Sequence, residues 1–269
     1  LRRGHRDALD IRRAHEVHAK AMEAVVQTLR ALKVDVELAY RVGLKVTKRY
    51  DLVVAVGGDG TFLHAGRSIK HTPILGVNSD PSRSEAVFCA ATRRTFPTLC
   101  RRALQRTLPE MRLYRLQLTL NGKRLPQRAL NDVLVVHDHP ATMSRYRLQI
   151  GSRAELQKSS GLWVSTAAGS GSAVLAAGGV RLPWGAKRFQ YRPRELYRGR
   201  LSRPRLTGRV LAPPACVRVT WLMRRGSAFI DGPHVHTPLR FGDQLEIRLS
   251  LAEPLRVLTP PLAGLTVRR

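Results

Sequence analysis

Residues 51–64, Asp-Leu-Val-Val-Ala-Val-Gly-Gly-Asp-Gly-Thr-Phe-Leu-His, decide the fold. Leu52 to Val56 is a continuous apolar run rich in valine, the composition of a strand buried on both faces of a parallel sheet. It ends in glycines at 57, 58 and 60, and the spacing beyond predicts a helix from about Thr61 to Ile69. A strand that runs through a glycine-rich turn into a helix is where open α/β sheets bind ligands. Glycines let backbone N–H groups approach a phosphate, and the helix start adds positive potential. The acid among them, Asp59, is the informative residue. A carboxylate repels phosphate unless it holds a metal or takes a proton from an attacking hydroxyl, so this turn suits phosphoryl transfer better than passive binding. On Gly57 to Thr61 alone, a tight turn in which Asp59 caps the next helix is the favoured reading.

Working outward, apolar residues recur at helical spacing from Asp7 to Leu32 (Leu9, Ala14, Val17, Ala21, Val25, Leu29), and Val34 to Leu38 alternates as a strand would. A strand over Ile74 to Val77 and a helix near Thr92 to Arg106 complete a βαβα rhythm. After Pro109 the pattern changes to strands joined by turns. These are expected at Arg112 to Leu120, followed by the Asn121-Gly122 hairpin signal, then Ala129 to Val136, Tyr146 to Ile150 and Leu162 to Ser165. A turn at Gly169 and Gly171 and one short helix over Ser172 to Ala177 come next, with further strands at Val217 to Met223, Ser227 to Ile230 and Gln244 to Leu249. Tyr191 to Pro214 is crowded with Arg and Pro and reads as a long surface connection. The expected fold class is an α/β N-terminal domain over residues 1–108, carrying the glycine-rich turn, plus a β-rich C-terminal domain over residues 109–269.

Charge is the outlier of the composition, with 47 Lys+Arg against 19 Asp+Glu and a formal net charge of +28. Such a field attracts polyanions. The arginines are scattered rather than gathered into one block, aromatic content is only 6%, and there is no RNP-like or zinc-finger pattern, so no specific nucleic-acid partner is expected. The uncharged stretch Gly161 to Val180 is dense in Gly, Ser and Ala and does not read as a membrane span. Cys89, Cys100 and Cys216 are an odd number at wide spacing, which excludes a disulfide framework or a paired-cysteine zinc site and implies an intracellular, reducing compartment. His137-Asp138-His139 and His234-Val235-His236 each put two imidazoles on one strand face but lack a third ligand, so no metal site is assigned to them. The P-loop, HExxH and GxSxG signatures are absent.

The order and spacing of several further blocks change the weight of the glycine-rich turn. Gly57-Gly58-Asp59-Gly60-Thr61 is followed by Leu75-Gly76-Val77-Asn78, Leu130-Asn131-Asp132, Gly161 to Thr166 with Gly169-Ser170, and Ile230-Asp231-Gly232. Together, from about Val53 to Leu249, these resemble the NAD kinase family. Asn78-Ser79-Asp80-Pro81 with Arg83-Ser84-Glu85, Ser159-Ser160-Gly161, and Thr166 to Ser170 are similar to its plant-type NADH kinase branch. The resemblance implies ATP with a divalent metal, Mg2+, as donor, and NAD or NADH as acceptor, bound between two domains and often across a homo-oligomer interface (dimer or higher). It implies that Asp59 takes the proton from the adenosine ribose 2′-hydroxyl or orients it. Gly57, Gly58, Gly60 and Thr61 would hold the donor phosphates. Asp59, Gly60, Asn131, Asp132, Ser160, Thr166, Gly171, Ser172 and Ala176 would contact the acceptor. The compartment would be the cytosol or an organelle such as a peroxisome, mitochondrion or plastid; the chain opens on Leu-Arg-Arg, and a native start upstream is expected.

Four positions depart from the family pattern. Ser160 replaces an Asp, Gly171 replaces a Thr, and Ala173 and Ala176 stand where the family has Tyr and Ser. Rival readings are a lipid kinase of the diacylglycerol or sphingosine type or a phosphofructokinase, which share the GGDG turn, a basic nucleic-acid-binding module, and a non-catalytic NAD(H)-binding relative. The Asn131-Asp132 and Gly161-to-Ser170 blocks favour a dinucleotide acceptor.

Overall fold

The computed structural model describes residues 7–40, 50–200 and 203–260. They divide into two compact units, one formed by the chain up to Met111 together with the stretch from Arg256, the other by Arg112–Leu255.

In the first unit, helix α1 (Asp7–Ala31) buries Ala21, Val25 and Leu29, which their four-residue spacing places on one stripe. Strand β1 (Val53–Gly57), helix α2 (Asp59–Ser68), strand β2 (Ile74–Asn78), the short strand β3 (Ala91–Thr92) and helix α3 (Phe96–Leu104) follow. β1 and β2 are parallel, in register from Val53↔Ile74 to Gly57↔Asn78. On the other side of β2, β3 pairs with Val77 and Asn78, and Val257, near the end of the last described strand, pairs with Ile74. Every residue of β2 is buried, as its unbroken apolar run requires. Val56, Leu75 and Val77 pack with Ala21 and Val25 of α1 and with Phe96, Leu99 and Cys100 of α3. The register sets Gly57 and Asn78, the carboxyl ends of two neighbouring strands, side by side.

The second unit is built from strands β4 (Glu110–Leu120), β5 (Lys123–Ala129), β6 (Asp132–Val136), β7 (Ser144–Ile150), β8 (Arg153–Ser159) and β9 (Leu162–Thr166). A 3-10 turn (Ala168–Gly171) and the one-turn helix α4 (Ala173–Ala176) come next. Strands β10 (Phe189–Pro193), β11 (Arg209–Leu211), β12 (Cys216–Trp221), β13 (Gly226–Ile230), β14 (His236–Leu239) and β15 (Gln244–Leu258) complete it. One sheet runs β15-β12-β7-β8, with β4 pairing β15 and β5; the other runs β11-β10-β9-β6-β13-β14. The strands alternate, and the inward residues of both sheets share one core that includes Val133, Val135, Val164, Val217, Val219, Ile247 and Trp221. Trp221 is fully buried and stacks on Tyr146 at 6.4 Å, so truncating it would cost about 3–5 kcal/mol. Asn121 and Gly122 turn β4 into β5 with φ of 48° and 79°, the positive pair that a two-residue hairpin needs.

The architecture is the expected α/β region followed by a β-rich one, and three local expectations are corrected. Residues 34–40 form no strand; Val34 and Val36 alternate because they pack partly buried against the first core. Tyr191 to Pro214 is not wholly a surface connection, because it contributes to β10 and β11 and buries Tyr191, Leu206 and Leu211. Its Arg and Pro density concealed a short apolar alternation. The strand expected over Ala129 to Val136 is two strands, broken at Leu130 and Asn131.

Candidate active site

In the first unit the glycine-rich turn closes β1 and opens α2. Gly57 takes φ of +157°, and a side chain there would run into Thr61, so glycine is required. Asp59 is the first residue of α2, whose cap position, Gly58, makes no side-chain cap hydrogen bond. The Asp59 carboxylate does not cap its own helix. It reaches across to the loop that follows β2, where Oδ2 accepts the Val87 N–H at 3.0 Å and Oδ1 accepts the Phe88 N–H at 2.8 Å. That loop is tethered to the turn elsewhere as well. Ser79 N–H donates to the Gly57 carbonyl at 3.2 Å, Asn78 Nδ2 donates to the Ser84 carbonyl at 2.7 Å, and Asn78 Oδ1 accepts the Asp80 N–H at 3.0 Å. Phe88 stacks on Phe62 of α2 at 5.3 Å, which keys the loop into the core. Gly60 is exposed, and nothing lies within 4 Å of the space a side chain would fill, so its backbone is open to an approaching group. Burial, and then the charge of Asp59, push the Cys89 thiol up to about 12; it is an inert neighbour.

The second unit gathers another set. The Leu130-Asn131 break between β5 and β6 is fixed from both sides. Thr166 Oγ1 donates to the Leu130 carbonyl at 2.6 Å and accepts the Gly169 N–H at 3.0 Å, and the Thr166 N–H donates to the Asn131 carbonyl at 3.0 Å. Gly169 lies so close to Asn131 that a side chain at 169 would overlap both its carbonyl and its side-chain oxygen. The Asp132 carboxylate is buried, with Oδ2 3.0 Å from Asn131 Nδ2 and 3.0 Å from Ser172 Oγ, which also lies 2.6 Å from the Gly169 carbonyl oxygen. Burial, with the charge of Asp231 added, pushes the Asp132 carboxyl up to about 7, while the Ser172 contact works the other way.

Asn131, Asp132, Thr166 and Ser172 are thus brought together. Ser160 is half-buried between β8 and β9, held by its N–H to the Arg194 carbonyl at 2.9 Å; the Arg194 guanidinium lies over Trp163, 6.0 Å from the ring centre. Gly171 ends the 3-10 turn, and Arg181 Nη1 lies 2.7 Å from where its side chain would begin. The room vacated by the missing side chain is taken by an arginine. Ala173 and Ala176 are exposed on α4. The histidine pairs turn to other work, with the His139 N–H donating to His137 Nδ1 at 3.0 Å and His236 tilted on Phe229. Among the described residues no three His, Cys, Asp or Glu side chains come together as a metal site. Sequence reading did not reveal the Val87 and Phe88 amides, which carry no side-chain signature, nor Arg181, one arginine among many.

A carboxylate fixed at the carboxyl end of a parallel strand, beside an open glycine backbone and a helix start, defines a nucleotide-type α/β site suited to phosphoryl transfer. Comparison with known proteins narrows this class. Residues 9–91 match the model of the ATP-NAD kinase N-terminal domain. A rice (Oryza sativa subsp. japonica) protein described as a "Probable NADH kinase" is 38% identical over 233 residues, which cover 78% of this chain and 71% of that one. Two solved structures share the fold. An NAD kinase from Archaeoglobus fulgidus in complex with ATP superposes with a TM-score of 0.70 at 22% identity, over 90% of this chain and 89% of that one. Yeast NADH kinase complexed with NADH gives 0.68 at 17% identity, over 79% of this chain and 62% of the yeast chain. The chain belongs to the NAD kinase family.

Proposed function

We propose that the chain transfers the terminal phosphoryl group of ATP to the adenosine ribose 2′-hydroxyl of NAD or NADH, giving NADP or NADPH, with NADH favoured. The observation that carries this reading is the Asp59 carboxylate, anchored through both oxygens by the Val87 and Phe88 N–H groups. A carboxylate oxygen accepts more than one hydrogen bond, so each retains a lone pair for a substrate hydroxyl. Asp59 orients the 2′-hydroxyl and takes its proton as the oxygen–phosphorus bond forms, while the bond between the β and γ phosphates breaks and ADP leaves. Phosphoryl transfer depends mainly on positioning and electrostatics, and a rigid acceptor serves both. Gly57, Gly58, Gly60 and Thr61 hold the donor phosphates, where an open backbone at Gly60 and the start of α2 suit an anion.

Asn131 and Asp132 hold a ribose of the acceptor, with Thr166 and Ser172 fixing them, and Ser160, Gly171 and Ala176 lie along the acceptor's path. The described residues offer no preformed cluster for a divalent metal; Mg2+ would enter on the phosphates of ATP and supply charge neutralisation there. The working form is a homo-oligomer, in a reducing compartment of the cytosol or an organelle, consistent with three free thiols. No membrane partner is assigned; no described helix is long and apolar enough to cross a bilayer.

One assay tests the reading: NADP and NADPH formation from each acceptor with Mg-ATP. Turnover with a higher kcat/KM for NADH supports it. A non-catalytic NAD(H)-binding role is the second reading, favoured by Arg181 filling the space beside Gly171. Binding of NADH without product in the same assay would establish that one instead.

A further inference from the structure

Asp231 directly follows β13, at φ +49°, and is nine-tenths buried. Its carboxylate accepts three hydrogen bonds from a segment about a hundred positions earlier in the chain. Oδ2 accepts the Leu130 N–H at 2.9 Å, while Oδ1 accepts the Asn131 N–H at 2.7 Å and the Asp132 N–H at 3.2 Å. The Asp231 N–H donates back to the Asp132 carbonyl at 3.0 Å. Three consecutive N–H groups converging on one point form a concavity that ordinarily receives an external anion. Here the anion is internal. The Leu130 and Asn131 carbonyls are taken by Thr166, so Asp231 and Thr166 grip the Leu130-Asn131-Asp132 backbone between them.

We propose that Asp231 is the positioning residue of the acceptor site: it fixes the Asn131 and Asp132 side chains in place and presents a second negative charge against Asp132. This rests on the acceptor role given above to Asn131 and Asp132. A strand pairing alone would not need it, because β6 is already held by β9 and β13. The break at Leu130 leaves three N–H groups with no strand partner, and buried N–H groups without partners are costly. Supplying them from a charged side chain rather than a carbonyl gives shorter, stronger bonds and a fixed local potential. The charged groups facing this pair are Arg115 on β4, whose buried guanidinium feels the opposing charges of Glu253 and Asp231, and Arg128 beyond it.

The test compares wild type with Asp231→Asn in steady-state kinetics over pH. Wild type must first phosphorylate NADH; if it does not, the functional reading fails and the inference is left without its site. In an active protein, Asp231→Asn turns one acceptor into a donor and removes the charge. KM for NADH should rise about tenfold or more while KM for ATP stays within about twofold. The acid limb of kcat/KM for NADH, set by ionisation of Asp132, should move to lower pH because the repelling neighbour is gone. A role confined to stability would lower Tm and leave that limb in place, and this result would overturn the proposal. Should Asp231→Asn fail to fold, Asp231→Glu keeps the charge but displaces it by a methylene. A raised KM for NADH with the acid limb unmoved is then expected, and an unchanged KM would overturn the proposal.

Discussion

Replacing Asp59 by Asn keeps the shape of the side chain but points an amide N–H at a backbone N–H of Val87 or Phe88. Turnover should fall by about 10²–10⁴, the usual range for losing a positioned acid/base group, with the protein still folded by circular dichroism. Activity within about threefold of wild type would remove Asp59 from the mechanism. Ser160 poses a question of charge. If it lies near the nicotinamide half of the acceptor, as the family resemblance implies, it withdraws a negative charge that favours cationic NAD+. Ser160→Asp restores that charge in a partly solvated place, an effect on the order of 1 kcal/mol, so the NAD-to-NADH ratio of kcat/KM should shift roughly fivefold towards NAD. An unchanged ratio would place acceptor preference elsewhere. Asp132 makes a prediction about pH and stability. Its carboxyl is raised to about 7 in the folded chain, against about 4 when unfolded. Between those values the folded state binds the extra proton, so this group's stabilising influence is full at the acid end and is lost as pH rises through about 7. Asp132→Asn, which never ionises, should therefore gain Tm relative to wild type from about pH 4 upward and hold the gain above about 7. A difference in Tm that stays flat across that window would show that Asp132 titrates normally.

At the scale of elements, the close packing of β2 against the loop that carries Val87 and Phe88 can be broken at one position. A methyl group at Gly76 would sit 2.8 Å from the Phe88 carbonyl oxygen and 2.9 Å from Cys89 Cα, both backbone and unable to swing aside. Gly76→Ala should cost about 1–3 kcal/mol in a denaturant titration. It should also lower kcat, because the displaced loop carries the two amides that anchor Asp59; wild-type kcat in a destabilised variant would disconnect loop from site. The same elements show what the sequence made legible. The valine run of β1, the glycines after it and the Asn121-Gly122 hairpin were readable because each follows from local sterics. The loop after β2 was not, since its grip on Asp59 uses backbone N–H groups that every residue possesses. β10 and β11 were hidden by the Arg and Pro around them, and Val34 to Leu38 misled because half-burial without a strand partner produces the same alternation as half-burial within a sheet. Asn131, Asp132 and Asp231 were all picked out as blocks in order along the chain, while the grip of the Asp231 carboxylate on the 130–132 backbone was not, since contact across about a hundred positions leaves no spacing signal.

For the molecule as a whole, a charge of +28 spread over scattered arginines predicts phosphate attraction without base readout. Filter binding to DNA or RNA should be weak, fall steeply with added salt and ignore sequence; nanomolar, sequence-selective binding at physiological salt would revive a nucleic-acid role. The return of the chain at Val257 to lie beside Ile74 bears on how the protein is made. β2 leaves the ribosome long before the residues that complete its flank. Domains that close on themselves can finish folding while the rest is still being translated. The first unit here is denied that course, since it cannot close until Val257, far beyond Ile74 in the chain, has been synthesised. Until Val257 emerges the nascent chain carries a buried-type strand with one end unpaired, the kind of edge that invites association with other chains. An early stop codon anywhere before Val257 therefore removes part of the unit that was written first.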